Sequence, residues 1–291
     1  MHLGIVTPVL IQHPNTRAGW ESSAGINEVA QIAETADRLG FHHLTCSEHI
    51  AVPEAIALER GGTYWDPLAT LGFLAARTDN IRLATQVLVL GYHHPLEIAK
   101  RYGTLDRVSN GRLVLGLGVG SLEEEFELIG APFESRGSRA DDSLAALRVS
   151  LSVPCPEFHG EFYSYTGFVV EPHALQPRVP RWIGGRTKRS LRRATTHGDG
   201  WVPFGLQLSE LEEMLAVTTL PDGFDVVLST GASLDPLGDS ESTSRALAGV
   251  RDAGATIASS SIHATDVGHY CDQVNELHRI ALSEGVDFTT S

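Results

Sequence analysis

The chain has 291 residues, of which 42% are hydrophobic and 20% charged, and its formal net charge is −14. That size and composition suit one large domain with an ordinary core, and no apolar run approaches the roughly 20 residues that a membrane span requires. The diffuse acidity argues against nucleic acid and anionic membranes as partners, because both demand basic patches.

In chain order, the N-terminal MHLGIVTPVL lacks the basic start of a signal peptide and reads as a first strand over Leu3–Pro8. A cytoplasmic location is therefore expected. Ile26, Val29, Ala30, Ala33, Ala36 and Leu39 recur at helical spacing, and Gly40 stands at the stop. A second strand over His43–Ser47 is followed by a long loop, Ala51–Trp65. Ile81–Leu90 predicts a third strand, and a helix runs from Pro95 to Val108, ending at Asn110-Gly111. Arg112–Leu117 is the fourth strand. Leu151–Pro180 breaks the rhythm; within it, Glu161–Tyr165 and Phe168–Glu171 flank Thr166-Gly167 and predict a small hairpin. Strands over Arg181–Gly184, Gly200–Phe204, Asp225–Thr230 and Ala255–Ile262 complete a set of eight. A helix follows Thr187 and stops near His197-Gly198, Gly231–Ser242 is a polar loop, and a last helix spans about Gly268–Glu284.

Several strands are continuous apolar runs, such as LATQVLVL, RLVLGLGV and DVVLST. Such runs fit a parallel sheet covered on its outer face. Eight strands alternating with helices predict an α/β fold, a (β/α)8 TIM barrel formed as a single domain with insertion loops. An open doubly wound sheet is the alternative, but no G-x-G-x-x-G follows the first strand. The expected domain covers residues 1–286, with an insertion at about 151–180 and a tail at 287–291.

Chemistry in such a barrel sits at the C-terminal ends of the strands. Glu48-His49 ends strand two, where an imidazole exchanges protons near neutrality; the plainer reading is a His bonded to a loop carbonyl. His93-His94 follows strand three, but adjacent histidines point different ways and H-E-x-x-H is absent, so no metal is expected. His94-Pro95 instead shapes a helix entry. Gly116-Leu117-Gly118-Val119-Gly120-Ser121 ends strand four and lets a planar ligand approach the backbone, or is simply a tight barrel turn. Glu123, Glu124 and Glu125 then suit a helix N-terminus, which explains at least two of them.

Trp182-Ile183-Gly184-Gly185-Arg186-Thr187 ends strand five and opens a helix, a ready phosphate site. It lies in the one segment that breaks the acidic pattern. Arg178, Arg181, Arg186, Lys188, Arg189, Arg192 and Arg193 fall there with no acid among them. Cys46, Cys155 and Cys271 show neither paired nor metal-ligand spacing and read as reduced thiols.

Taken in order, SEHIAVP, RLATQVLVL, HHPLEIAKRYGTLDRVSNGRLVLGLGVG, GAPFESRG, PRVPRWIGGRTKRSLRRA and HGDGWVP resemble the bacterial luciferase-like superfamily, and most of all its deazaflavin (coenzyme F420) oxidoreductases. The likeness covers roughly Leu3 to Phe204. It implies a flavin-like ring in the barrel mouth, with Glu48 and His49 at the reacting centre. It implies a non-prolyl cis peptide at Gln86-Val87 forming a bulge against the ring. Gly118, Val119 and Gly120 would line the ring, and Ile183, Gly184, Gly185, Arg186 and Thr187 would hold the phosphate side of the tail. The chain departs from the pattern at Ser121, where some deazaflavin members carry a Glu, and at Ala84, where a glycine is frequent.

The expected activity is hydride transfer between F420 and a small organic substrate. An FMN-dependent monooxygenase of the same superfamily is the alternative, and a non-catalytic flavin-binding member a second. The expected partners are a small-molecule substrate and a second copy of the chain in a homodimer, without nucleic acid or membrane.

Overall fold

The computed structural model describes residues 1–14 and 18–288. Its elements run β1 (His2–Ile5), α1 (Ile26–Arg38), β2 (His43–Cys46), α2 (Glu54–Arg60), α3 (Pro67–Ala75), β3 (Arg82–Thr85), β4 (Leu88–Val89), α4 (Pro95–Val108), β5 (Leu113–Gly118), α5 (Glu123–Leu128) and α6 (Arg136–Ser150). They continue with β6 (Phe158–His159), β7 (Ser164–Tyr165), β8 (Arg181–Gly184), α7 (Lys188–His197), β9 (Gly200–Val202), α8 (Leu208–Ala216), β10 (Asp225–Ser229), α9 (Ser240–Asp252), β11 (Ile257–Ser260) and α10 (Val267–Ser283).

The strands pair in parallel in the order β3-β2-β1-β11-β10-β9-β8-β5-β4, and β3 also pairs with β5. That last pairing closes the sheet, so the molecule is the expected (β/α)8 barrel, with β3 and β4 as two halves of one stave. Two apolar layers follow from strand alternation. Ala84, Val114, Trp182, Val202, Val227 and Ile257 meet inside the barrel. Leu3, Ile5, Leu83, Leu113, Leu115 and Ile183 face outward to the helices. On the helix side, Val29, Ala30, Ile32, Ala33 and Ala36 of α1 form the matching buried stripe.

Three local expectations change. The segment Ala51–Trp65 is not all loop, since α2 lies within it. The hairpin pairs Phe158–His159 with Ser164–Tyr165, not Glu161–Tyr165 with Phe168–Glu171. Its cause is Asp142, whose carboxylate accepts from the N–H groups of Glu161, Phe162 and Tyr163 and so bends the chain there. The third strand breaks at Gln86-Val87, where the peptide is cis, as the resemblance implied.

Asp106, fully buried at the end of α4, fastens the returning insertion to the barrel. It accepts from the N–H groups of Leu175 at 2.8 Å and Gln176 at 2.9 Å, and from the Gln176 side-chain amide at 2.7 Å. At the chain's end, the Asp287 N–H donates to the Met1 carbonyl, and the Phe288 ring packs edge-on against Phe41. Residues 289–291 of the expected tail lie outside the described residues. No helix among the described residues is long and apolar enough to cross a membrane.

Candidate functional site

The C-terminal ends of β2, β4, β5, β8 and β9 open into one cleft of about 720 Å³. A cavity of that volume is in the range of small-molecule and cofactor sites. Its chemistry divides into a proton-handling wall, an apolar floor and a basic end.

The proton-handling wall is built on Glu125. Leu122, Glu125 and Phe126 share the inward face of the α5 turn, whereas Glu123 and Glu124 are exposed. Four donors converge on the Glu125 carboxylate. They are His49 Nδ1 at 2.8 Å, the Tyr92 hydroxyl at 2.6 Å, and the N–H groups of Ile50 at 2.5 Å and Ala51 at 3.2 Å. Burial alone would raise the Glu125 carboxyl, but the bonds from Tyr92, His49 and Ile50 outweigh it and hold it below the ordinary range. A carboxylate that accepts from Nδ1 fixes the proton on that nitrogen and leaves Nε2 as the acceptor. His49 lines the cleft, with the Tyr64 ring edge-on to it at 4.3 Å.

The depressed Glu125 value has a signed consequence. Its contribution is fully present above its ordinary value of 4.5 and is lost as pH falls through the lower folded value. Protection factors of the Ile50 and Ala51 amides are therefore expected to fall once pH drops below 4.5, where hydrogen exchange would be measured. Protection that stays constant well into the acid range would contradict this role of the Glu125 carboxylate.

Glu48 and His49 are neighbours in sequence but not partners in space. Glu48 accepts from the Val89 N–H at 2.7 Å and pairs with His93 Nε2 at 2.7 Å. Burial would lower the His93 pKa, but Glu48 and Glu97 raise it overall. His94 caps α4, its Nδ1 accepting from the Leu96 N–H at 3.2 Å. Among the described residues, no cluster of His, Cys, Asp or Glu is disposed to hold a metal. Cys46, Cys155 and Cys271 are free thiols.

The floor is Gln86-Val87 pressed against the glycine turns. A Cβ at Gly118 would lie 2.6 Å from Val87 Cγ2, and one at Gly184 would lie 2.9 Å from Val87 Cγ1. Larger residues at either place would displace Val87 from the floor. The Ser47 hydroxyl donates to the Gln86 carbonyl at 2.5 Å, while the Gln86 side-chain oxygen is buried without a hydrogen-bond partner among the described residues. An amide with unmet capacity in a cleft suits a polar ligand edge.

The basic end joins two helix starts. Gly185 has φ 137°, and a Cβ there would lie 2.6 Å from the Ser190 Cβ. Thr187 caps α7: its hydroxyl accepts from the Ser190 N–H, and its own N–H donates to the Ser190 hydroxyl. The cap thus occupies the Thr187 and Ser190 N–H groups, the first of them expected at the phosphate, and leaves the Lys188 and Arg189 N–H groups at the first turn. Arg186 lines the cleft and lies over the Phe204 ring at 5.9 Å. Across from it, Arg136, Gly137 and Ser138 bring the start of α6 to the same end.

The structure thus gathers Glu48, His49, Gln86, Val87, Gly118, Val119, Gly120, Gly184, Gly185, Arg186 and Thr187 around one cleft. Ile183 stands apart: it is 1% exposed, packs outward against the helices and is not among the residues lining the cleft. Sequence reasoning did not single out Glu125, Tyr92, Tyr64 or Arg136 as functional. Glu125 alone left a signal, its place three after Leu122 and one before Phe126 on an inward face.

The luciferase-like monooxygenase family model matches residues 1–219. An uncharacterised protein of Mycobacterium tuberculosis is 30% identical over 197 residues, covering 64% of this chain and 68% of that protein. The oxygenase component of a flavin-dependent trigonelline monooxygenase from Acinetobacter baylyi is 30% identical over 175 residues, covering 59% of this chain and 46% of that one. Among solved structures, monooxygenase RslO1 from Streptomyces bottropensis superposes with a TM-score of 0.76 at 22% identity, covering 98% of this chain and all of that one. The coenzyme F420 dependent tetrahydromethanopterin reductase from Methanopyrus kandleri superposes with a TM-score of 0.70 at 13% identity, covering 89% and 96%. With a family model matched over most of its length, the chain belongs to the luciferase-like monooxygenase family.

Proposed function

We propose that the chain is a redox enzyme that holds a flavin-type cofactor in this cleft, coenzyme F420 in the first reading, and acts on a small organic substrate. The observation that carries the proposal is convergence. A proton-handling His, an apolar floor with an unsatisfied amide, and a basic end with two helix starts share one cleft of about 720 Å³. A planar ring bearing a phosphate matches those three parts in order. When bound, such a cofactor supplies hydride chemistry that protein side chains cannot.

The chain's own residues bind, orient and move protons. Val87, Gly118 and Gly184 give the ring an apolar seat, and Gln86 offers the amide. Gly184, Gly185, Arg186 and the first turn of α7 hold the phosphate. His49 takes or gives a proton at Nε2, and Glu125 keeps that nitrogen available. Tyr64 and Tyr92 pack around the pair and limit water. Glu48 positions the β4 end of the bulged stave through Val89 and His93.

Arg186→Ala is expected to weaken cofactor binding by about 1–3 kcal/mol, the scale of a hydrogen bond to a charged group, measured by titration at two ionic strengths. Unchanged binding at both would place the phosphate elsewhere. A second reading, an FMN-dependent monooxygenase, is favoured by the 30% identity to the trigonelline monooxygenase component and by Ser121 after the glycine turn.

A further inference from the structure

The cleft does not end at the phosphate seat. Beyond it lies a second cavity of about 230 Å³, lined by Asp141, Arg189, Arg192, Arg193, Thr196 and His197. Arg189 and Arg193 line both, so the two adjoin across these side chains. Their guanidinium groups converge on the start of α6: a Cβ at Gly137 would lie 3.3 Å from the Arg189 Nη2 and 3.6 Å from the Arg193 Nη2.

The charges in this extension do not cancel. Arg193 is buried and bound to Asp141 and to the Gly137 carbonyl, so the one acid present is already used. His197 has its pKa lowered, first by burial and then by Arg193, Arg181 and Arg148, although Asp141 opposes them. It adds no charge at neutral pH. Arg189 and Arg192 are exposed and have no ion pair among the described residues, and the same holds for Arg186 and Lys188. Arg189 and Arg192 sit three residues apart on α7, hence on one face and about 4.5 Å apart along the axis. In a chain of net charge −14, this track sets two arginines without acidic partners beside the proposed phosphate seat.

We infer that this track is a subsite for a second anionic group on the same ligand, beyond the phosphate held at Gly184–Thr187. The inference rests on the cofactor reading above and sharpens it. A chain that ends at its phosphate, as in FMN, leaves the track empty. A ligand whose chain continues into carboxylates, as in the glutamate tail of F420, or into a second phosphate, as in FAD, fills it. Both sources share one chemistry, an anion displaced outward from the first.

The test is a fluorescence titration of the whole protein with four probes: tailed F420, the same deazaflavin cut back to its phosphate, FAD and FMN. The tailed form is expected to bind roughly five- to tenfold tighter than the trimmed form, a modest factor because the arginines are exposed. That preference is expected to shrink with added salt. It is expected to vanish in Arg189→Gln/Arg192→Gln, whose substitutions fall on exposed side chains. A preference confined to FAD over FMN would support the subsite and identify its anion as a phosphate. No preference within either pair, or one that survives the double substitution, would overturn the inference. If neither deazaflavin binds while FMN does, the F420 reading fails, and the FAD-to-FMN ratio still decides the subsite. If none of the four binds, both fail.

Discussion

Replacing His49 by alanine is expected to lower turnover at least about a hundredfold, the typical scale of general acid–base catalysis, while cofactor affinity changes less than about tenfold. The reason is the division of labour in the cleft. His49 Nδ1 is committed to Glu125, so Nε2 alone is left to exchange protons, while the residues proposed to seat the ring and phosphate lie on other strands. Glu125→Gln supplies the matching control. Its amide nitrogen would face the imidazole as a donor, inverting the tautomer and placing the proton on Nε2. A loss of about tenfold or more with a shifted pH profile is expected, since the proton carrier is then in the wrong form. Full turnover in His49→Ala with collapsed affinity would make His49 a cofactor ligand only, and the proton donor would have to be sought at Ser121 or in the substrate.

Arg112→Ala is expected to cost about 3–5 kcal/mol of stability, because it strips partners from several buried carbonyls at once. Arg112 is 8% exposed at the corner of α3, β3 and β5. It donates to the carbonyls of Ala75 at 2.8 Å, Thr78 at 2.9 Å, Ile81 at 3.0 Å and Ser109 at 2.7 Å, and to the Thr78 hydroxyl at 2.8 Å. The substitution leaves all of these unmet, and water entering the vacated space restores only part. Urea unfolding would show the midpoint falling with the slope preserved. A loss below about 1 kcal/mol would mean that solvent replaces the guanidinium fully. Because this corner is remote from the cleft, the folded variant should bind cofactor normally.

The barrel was legible because continuous apolar strands and capped amphipathic helices alternate, and that rhythm leaves few folds open. Gly118 and Gly184 read in the sequence as places where a ligand nears the backbone; in the structure the side chain of Val87 abuts each. What stayed hidden depends on partners far along the chain. Asp142 decides where the hairpin turns, yet nothing near Glu161–Tyr165 announces it. The pairing of Glu48 with His93 instead of His49 joins residues 45 apart in sequence, across the strand break at Gln86-Val87. Glu125 lay inside a run of three acids that helix-dipole complementarity already explained. The basic run from Arg178 to Arg193 also splits on folding. Arg178, Arg181 and Arg193 are paired with acids, whereas Arg186, Lys188, Arg189 and Arg192 have no ion pair among the described residues.

The decisive measurement is a parallel equilibrium titration of the purified protein with coenzyme F420 and with FMN, repeated on Arg186→Ala. Saturable one-site binding, tighter for F420 and weakened in the variant, is the expected result. Tighter binding of FMN would move the assignment to the monooxygenase reading, and saturation by neither ligand would contradict a cofactor role for the cleft.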